Sequence, residues 1–475
     1  MIPQSSRVKS GRTWKDRLTS ELAYTLLISL TIFLYIVLAL FALAPNGTVG
    51  KLSPIQDSVQ GNSYLVKLLD FTGINHMTNH QMILAFWVLV LLILLAYAWA
   101  VLIFRTRQDK GLLSILALTV LLCALLTMIP PLVSKDTFSN IFYGKIAAHY
   151  HDNPYLVTPQ RFAGDELMAY TSLNWKNTAI VYGPLHTYFS MLLNLIAGRS
   201  ITSNIFVFKG AMAFFHVINV LLIWFILGSI APRRQRWGTM IYAWNPISLI
   251  IGVGGGHNDL MMMALVLAGL FFLLKDKRWR GYILLVFSVF IKYVSVILVI
   301  ALIIHFLYQR DRWRDRLHDL ILYAAVFLLI AVILFLPFWA GFKTFDSTLQ
   351  NLQLKNLTSV GGLLGTGFYG ILRYVFRIPA SFAKTAGQIL AVVLLLPFFL
   401  FTLWYAPKRA RERRDIPNMF FFVTLAYLLT TSYYMPWYMI WLLPFIAMRP
   451  WDRLTKYSLG IGTATIYLGC DVHPY

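Results

Sequence analysis

This sequence contains few cysteines and a low proportion of charged residues. Cys123 and Cys470 are its only cysteines, which excludes a disulfide framework and any cysteine-based metal site. Charged residues make up 13% of the chain, against roughly 25% in an ordinary soluble domain. The sequence also has no Walker A motif, no dinucleotide fingerprint after a strand and no HExxH. ATP-driven transport and metalloprotease chemistry therefore lose their usual sequence support.

Apolar residues dominate instead, at 58% of the chain. Several apolar runs approach or exceed the roughly 20 residues that a helix needs to cross a bilayer. We therefore predict an all-α, polytopic helical membrane protein of about 11–13 transmembrane or half-membrane helices, forming a single domain over residues 1–475. The first run exceeds the usual signal core, so we interpret it as a retained helix. The main predicted helices lie near 22–44, 82–104, 112–133, 205–230, 319–340, 386–406 and from 457 onward.

The net charge of +22 is distributed in short basic patches between the apolar runs. Such patches are typical of cytoplasmic loops, where they also meet anionic lipid. We therefore expect a lipid bilayer and no nucleic acid as partner, with the N-terminus in the cytoplasm. The patches lie at 7–17, 105–110, 233–236, 275–280, 310–316, 408–414 and 449–456.

Polar interruptions divide the apolar runs on the side opposite to these patches. The longest are two predicted outer loops, at 134–184 and about 341–385. Shorter breaks fall at 252–259, at 292–293 and at 430–438, and the run at 185–197 is short enough to be re-entrant or interfacial. Non-helical backbone at membrane depth is tolerated only where it lines a cavity. The breaks therefore predict a cavity that opens to the outside.

Two of these interruptions carry candidate acids. Asp136 follows the third apolar run by three residues, at the lipid–water boundary, where a carboxylate suits a general base. The alternative is a solvated loop residue or a helix cap. His257, Asn258 and Asp259 follow three glycines that permit close backbone approach, and this trio either binds substrate by hydrogen bonds or caps a helix. No third metal ligand has a telling spacing, so we expect no cofactor and leave a divalent metal open.

Cations and aromatic residues complete the candidate site. Lys292 lies within an apolar run, where it either faces a phosphate or snorkels to the surface. Arg373 and Arg377 are basic residues on the predicted outer side, and we treat them as further phosphate contacts. The aromatic residues Tyr434, Trp437 and Tyr438 stack against a sugar or form an interfacial belt.

These motifs together resemble the membrane-embedded GT-C glycosyltransferases. The resemblance is carried by an acid after a membrane helix, by NPY at 153–155, by YGPL at 182–185 and by PWY at 436–438. The GHND segment at 256–259 is similar to one in the polyprenyl-phosphomannose-dependent α-mannosyltransferases. The similarity covers most of the chain from about residue 134 onward, as scattered short motifs.

The resemblance implies a sugar, in particular mannose, carried on a polyprenyl phosphate as donor. The acceptor would be a glycan, glycolipid or cell-wall polymer, reached from the extracytoplasmic side of a bacterial plasma membrane. Asp136 would be the catalytic base, in an inverting displacement, and Lys292 or Arg373 would face the phosphate. Many GT-C enzymes carry a paired acid here, whereas Asp136 follows a lysine. The implied substrate-binding residues are Asp152, Asn153, Tyr155, Tyr182, His257, Asn258 and Asp259.

A membrane transporter or lipid flippase with an outward-facing polar cavity is the main alternative, and a non-catalytic scaffold is the other. Transporter folds often contain internal repeats with sites near the bilayer midplane. No two halves of this sequence look alike, and its polar breaks cluster toward one face. The sequence therefore favours the enzyme.

Overall fold

The computed structural model describes residues 14–44, 53–106, 111–351, 360–431 and 434–468. These residues form α-helices joined by short 3₁₀-helical and π-helical turns, and no β-strand occurs among them. A helix satisfies its backbone hydrogen bonds internally, as a bilayer requires. The predicted all-α fold class is confirmed.

Twenty α-helices lie within the described residues. The first ten are α1 (Trp14–Leu43), α2 (Pro54–Gln60), α3 (Ser63–Phe71), α4 (Asn79–Thr106), α5 (Leu112–Met128), α6 (Asp136–Ala148), α7 (Leu173–Lys176), α8 (Pro184–Ala197), α9 (Ile201–Ile230) and α10 (Gln235–Ala243). The others are α11 (Asp259–Leu274), α12 (Arg278–Val289), α13 (Val296–Tyr308), α14 (Trp313–Phe335), α15 (Asp346–Asn351), α16 (Val360–Gly370), α17 (Ala380–Arg409), α18 (Ile416–Thr430), α19 (Met439–Met448) and α20 (Arg453–Ala464).

Several of these helices have the length and composition to cross a bilayer. A broken span joins the π-helical segment Ile247–Gly254 to α11 at an angle of 119°. Shorter apolar helices accompany it, so the polytopic membrane architecture is confirmed, while the expected 11–13 helices stay a prediction. Within the described residues the five long spans are Glu21–Leu43, Asn79–Arg105, Ile201–Ile230, Trp313–Phe338 and Ala380–Arg409.

The long spans differ in how deeply the protein covers them. The most apolar stretches of α1, α4 and α9 are 39–44% buried, whereas those of α14 and α17 are 11% and 6% buried. Apolar side chains left exposed on a membrane helix face lipid. The helices α14 and α17 therefore lie at the periphery, and the core that holds the candidate site lies among the other helices.

The segment 134–184, predicted as an outer loop, contains the buried helix α6. Its apolar residues Phe138, Ile141 and Phe142 recur at helical spacing, and each is at most 1% exposed. Polar residues interspersed among them hid this periodicity in the sequence. The rest of the segment forms 3₁₀ turns at Pro159–Phe162 and Glu166–Ala169, followed by α7.

The short run at 185–197 forms α8, which packs closely on α6. A Cβ atom added at Gly144 of α6 would lie 2.4 Å from the Ser190 carbonyl oxygen of α8. Asn194 also donates a hydrogen bond to the carbonyl oxygen of Ile141, at 3.1 Å. Residue 144 therefore has no room for a larger side chain, and α8 supports the helix that carries Asp136.

The second predicted outer loop, at about 341–385, is also partly helical. It contains α15, α16, a π-helical turn at Ile371–Val375 and the first residues of α17. The helix expected near 386 begins at Ala380. The sequence prediction located the polar interruption but underestimated its helix content, because glycines dilute the apolar periodicity of Val360–Gly370.

Candidate functional site

Asp136 is the first residue of α6 and follows a turn that begins where α5 ends, at Met128. The side chain of Lys209, from α9, reaches into this turn. Its ammonium group donates to the carbonyl oxygens of Ile129, at 2.5 Å, and Pro130, at 3.4 Å. Lys209 is 0% exposed, so these carbonyl groups compensate in part for the cost of burying its charge. This contact holds the turn that leads to Asp136.

Within the described residues, one side chain hydrogen-bonds the Asp136 carboxylate. The indole N–H of Trp175 donates to its Oδ1 atom at 3.0 Å, while its Oδ2 atom accepts no hydrogen bond from the described residues. The residue is half-buried. One carboxylate oxygen is therefore oriented by the protein, and the other remains available to a ligand.

The glycine-rich break before α11 lies directly against the start of α6. Thr137 donates to the Gly255 carbonyl oxygen at 2.5 Å. The backbone N–H of Leu132 donates to the carbonyl oxygen of Gly254 at 3.1 Å. Gly256 has a φ of +66°, and a Cβ atom added there would lie 2.5 Å from Thr137 Oγ1. Both the positive φ and the close approach require glycine, as the sequence predicted.

Asp259, the first residue of α11, is 0% exposed and is the centre of a polar cluster. Its Oδ1 atom accepts hydrogen bonds from the ammonium of Lys292, at 2.7 Å, and from the indole N–H of Trp441, at 2.5 Å. The His257 ring lies near its other oxygen, with Nδ1 and Oδ2 3.9 Å apart. Because Asp259 is buried and paired, it is a poorer general base than Asp136.

Three buried polar atoms of this cluster have no hydrogen-bond partner among the described residues: Nε2 of His257, Nδ2 of Asn258 and Oδ2 of Asp259. Asn258 makes no side-chain cap hydrogen bond to α11, so helix capping does not explain it. An unsatisfied buried polar group costs about 1–3 kcal/mol. Their gathering in one place is typical of a site that a polar ligand or water completes.

Lys292 does not snorkel to a surface. Its side chain is 13% exposed and pairs with Asp259. Its Nζ atom also lies 5.7 Å from the ring centre of Tyr182, 5.6 Å from that of Tyr438 and 5.5 Å from that of Trp441. Aromatic faces stabilise a cation at these distances. An ammonium group has three N–H donors, and the described part of the chain engages one of them in a hydrogen bond.

The aromatic residues predicted at 434–438 border this cluster. Trp437 stacks on His257, with ring centres 4.4 Å apart, and Tyr438 stacks on Trp441 at 4.1 Å. Tyr434 lies farther along and hydrogen-bonds Thr465 at 3.0 Å. Tyr438 and Trp441 thus contact the buried ion pair, which a belt at the membrane surface would not do.

Tyr182 connects the two acids. Burial raises the pKa of its phenol well above the ordinary value, and the nearby negative charges of Asp136 and Asp259 raise it further. Its carbonyl oxygen accepts hydrogen bonds from Tyr155, at 2.9 Å, and Tyr293, at 3.3 Å. These hydrogen bonds hold the backbone of Tyr182 in place.

The DNPY segment has structural contacts of its own. Asn153 donates to the carbonyl oxygen of Phe338 at 2.8 Å, and Tyr155 is 2% exposed with its hydroxyl bonded. Asp152 is half-buried and pairs with Arg161 at 3.6 Å. The structure thus gives Asn153 and Tyr155 contacts that hold the segment in place, and a substrate contact by these residues stays a prediction.

Arg373 and Arg377 are exposed, and none of their recorded contacts reaches the cluster around Asp259. Arg373 donates to the carbonyl oxygen of Ile378, at 3.4 Å, within its own turn. Arg377 has a φ of +55°. The structure pairs Lys292 with Asp259 and shows no such pairing for these arginines among the described residues, so their phosphate contact stays a prediction.

Sequence reasoning missed Trp175, Lys209 and Trp441. Trp441 lies one helical turn after Trp437 and Tyr438, which is a signal that could have identified it. Lys209 interrupts an apolar run as Lys292 does, and the same reasoning applies to it. Trp175 gives no such signal, because its partner lies 39 residues away.

Among the described residues, no three His, Cys, Asp or Glu side chains gather as metal ligands.

Comparison with known proteins identifies the family. The family model described as alpha-(1->6)-mannopyranosyltransferase, N-terminal domain, matches residues 46–308, which is more than half of the chain. The chain belongs to this mannosyltransferase family. The matched region includes Asp136, Asp259 and Lys292, whereas the aromatic residues from Tyr434 to Trp441 lie beyond it.

Two curated relatives extend this result. The chain is 27% identical over 173 residues to alpha-(1->6)-mannopyranosyltransferase A of Corynebacterium glutamicum, covering 35% of this chain and 34% of that protein. It is 24% identical over 337 residues to alpha-(1->6)-mannopyranosyltransferase A of Mycobacterium tuberculosis, covering 68% of this chain and 63% of that protein. The matched segments thus span less than two thirds of either relative.

Proposed function

We propose that this protein transfers mannose from a polyprenyl-phosphate donor to a glycan, glycolipid or cell-wall polymer on the extracytoplasmic face of the bacterial plasma membrane. The family assignment and the two mannopyranosyltransferase relatives support the sugar. The observation that carries the proposal is the convergence of Asp136, Asp259 and Lys292 beside a set of aromatic rings. This arrangement supplies a base, a cation and a surface for a sugar within one site.

Asp136 acts as the general base in this proposal. Trp175 orients one of its carboxylate oxygens, and the other is free to accept the proton of the acceptor hydroxyl. That proton leaves as the hydroxyl oxygen attacks the anomeric carbon of the sugar. The bond from that carbon to the lipid phosphate breaks, so the reaction inverts the anomeric configuration.

Lys292 stabilises the departing phosphate. Its charge is held in place by Asp259 and by three aromatic faces, and its remaining N–H donors are available to phosphate oxygens. A preorganised cation at the point where negative charge develops lowers the barrier of such a step. The rings of Trp437 and Tyr438 offer apolar faces on which a sugar ring stacks.

Sugar transfer by the purified, reconstituted protein tests the proposal. A panel of radiolabelled polyprenyl-phosphate sugars is offered with a mixed glycan extract to wild type and to Asp136→Ala. We expect transfer from the mannosyl donor by wild type alone, and an α-linked product from a β-linked donor.

Glu166→Ala is the matched control, because Glu166 is an exposed acid in the same segment, 134–184. It is expected to retain transfer. A product with retained configuration would overturn the inverting mechanism. Movement of intact lipid-linked sugar across the bilayer without glycosidic bond formation would instead support the transporter alternative.

A further inference from the structure

A polar cavity lies at the end of α18 and α19 that is opposite to the candidate site. The candidate active site contains residues that follow α18 and begin α19, whereas this cavity is formed where α18 begins and α19 ends. A helix of 15 residues such as α18 is about 22 Å long. The cavity is therefore separate from the site of sugar transfer. It has a volume of about 390 Å³, within the range of small-molecule sites.

Arginines from three different parts of the chain line this cavity. They are Arg234, Arg414 and Arg449, and each belongs to a different basic patch of the sequence. The positive-inside rule explains why such patches are basic, but it does not require their side chains to converge on one concavity. The remaining wall includes Asn418, the acid Asp415 and the apolar residues Ile230, Phe422 and Met448. The Asp415 carboxylate accepts hydrogen bonds from the backbone amides of Arg411 and Glu412.

Two of the three guanidinium groups have acidic partners that solvent reaches. Arg449 pairs with Asp452 at 2.9 Å, and Arg414 pairs with Glu412 at 2.7 Å. The two carboxylate side chains are 44% and 59% exposed. The pair of Arg414 is exposed on both sides and contributes little, so an anion that enters the cavity competes with it effectively. The guanidinium of Arg449 is buried and also donates to Thr455 and Asn418.

Arg234 has no carboxylate partner among the described residues. It is half-buried, and its recorded hydrogen bond goes to the carbonyl oxygen of Met448, at 2.9 Å. Burial lowers the pKa of Arg234, and the like charge of Arg449 lowers it further. Arg449 is 8% exposed and lies over the ring of Phe421, at 4.3 Å. An anion between the two guanidinium groups would relieve this repulsion.

We propose that this cavity binds a phosphate group, carried by an anionic lipid or by a soluble phosphorylated molecule. Arginine suits this ligand because its planar guanidinium donates two parallel hydrogen bonds to phosphate oxygens. The apolar wall accommodates the part of the ligand that is attached to the phosphate. This binding is independent of the proposed sugar transfer.

Thermal unfolding of the purified full-length protein, titrated with inorganic phosphate at constant ionic strength, tests the proposal. We expect a saturable rise in Tm for wild type, and an apparent affinity weakened about tenfold or more in Arg234→Gln. Arg233→Gln is the matched control, since Arg233 is exposed, adjacent and outside the cavity. Arg414→Gln provides a second cavity variant in case Arg234→Gln does not fold.

Nanodiscs of phosphatidylcholine with and without phosphatidylglycerol distinguish the two sources of phosphate. Selective retention of phosphatidylglycerol, lost in Arg234→Gln and kept in Arg233→Gln, identifies a lipid head group. Saturation by inorganic phosphate without lipid selectivity identifies a soluble ligand. The proposal is overturned if phosphate and phosphatidylglycerol act equally on wild type, Arg233→Gln and both cavity variants, or have no effect on any of them.

Discussion

Asp136 and Asp259 each begin a helix, but their surroundings differ in ways that assign them different tasks. Asp136 is half-buried and bonded by one indole N–H. Asp259 is fully buried and bonded to an ammonium and an indole N–H through a single oxygen. A base must reach a substrate proton, whereas a buried carboxylate paired with a cation holds that cation in place. In the proposed mechanism, partners and exposure, rather than position in a helix, distinguish Asp136 as the base from Asp259 as a positioning residue.

The largest effect that would sharpen this comparison is expected from Asp136→Asn. The amide keeps the size of the side chain but cannot take a proton, so kcat for sugar transfer should fall by about 10²–10⁴-fold. Steady-state transfer by reconstituted protein measures it. Glu166→Gln, a change of the same kind at an exposed acid in the same segment, should leave kcat within about threefold of wild type. Equal losses in both variants would remove Asp136 from its special role.

Asp259→Asn should act mainly on stability. It leaves the Lys292 charge buried without its carboxylate, which costs about 3–5 kcal/mol. Thermal unfolding in detergent without substrate measures the loss. The double variant Asp259→Asn/Lys292→Met removes the charge as well and should recover part of the stability. A double variant less stable than Asp259→Asn would contradict the assignment of the pair as the source of the loss.

Lys209→Met tests whether Lys209 stabilises the turn that precedes Asp136. The substitution leaves the carbonyl groups of Ile129 and Pro130 without their donor, and we expect a loss of about 1–3 kcal/mol in stability. Lys277→Met is the control, since Lys277 is exposed and should change stability by less than about 0.5 kcal/mol. Thermal unfolding of the two variants side by side provides the measurement, and equal Tm values would contradict the support role.

Trp175→Phe is expected to have the smallest effect. It removes the N–H that orients Asp136 and keeps an aromatic ring, so kcat should fall about tenfold. Trp313→Phe serves as control, because Trp313 is 67% exposed and lies on another helix. Transfer rates at saturating donor measure the difference. A kcat equal to that of the control would show that Asp136 needs no orientation by this indole.

Much of the fold followed from the sequence, because apolar runs of membrane length leave few alternatives to helices. The helix α6 was missed because interspersed polar residues interrupt its apolar periodicity. His257, Asp259 and Lys292 were identified as costly polar residues in apolar surroundings. Their pairing was not, because Asp259 and Lys292 are 33 residues apart and meet only through packing. A sequence pattern identifies a polar residue that is costly to bury in apolar surroundings. Tertiary structure determines which residue pairs with it.

The contacts of the aromatic residues also could not be predicted from the sequence alone. Trp437 and Tyr438 were predicted to stack on a sugar or to form a belt, and both contact the buried cluster instead of a bare surface. Their distance in sequence from Asp136 and Asp259 conceals this. Which candidate cation pairs with Asp259 also depended on the fold, since Lys292 does so and Arg373 has no such contact among the described residues.

The most direct test of the division between the two acids is a comparison of donor binding with single-turnover transfer in Asp136→Asn. We predict that the variant binds polyprenyl-phosphomannose within about threefold of wild type, because Lys292 and Asp259 are unchanged. Its rate of transfer from the bound donor should fall by at least about 100-fold. Loss of binding and transfer together, or an undiminished single-turnover rate, would contradict the account.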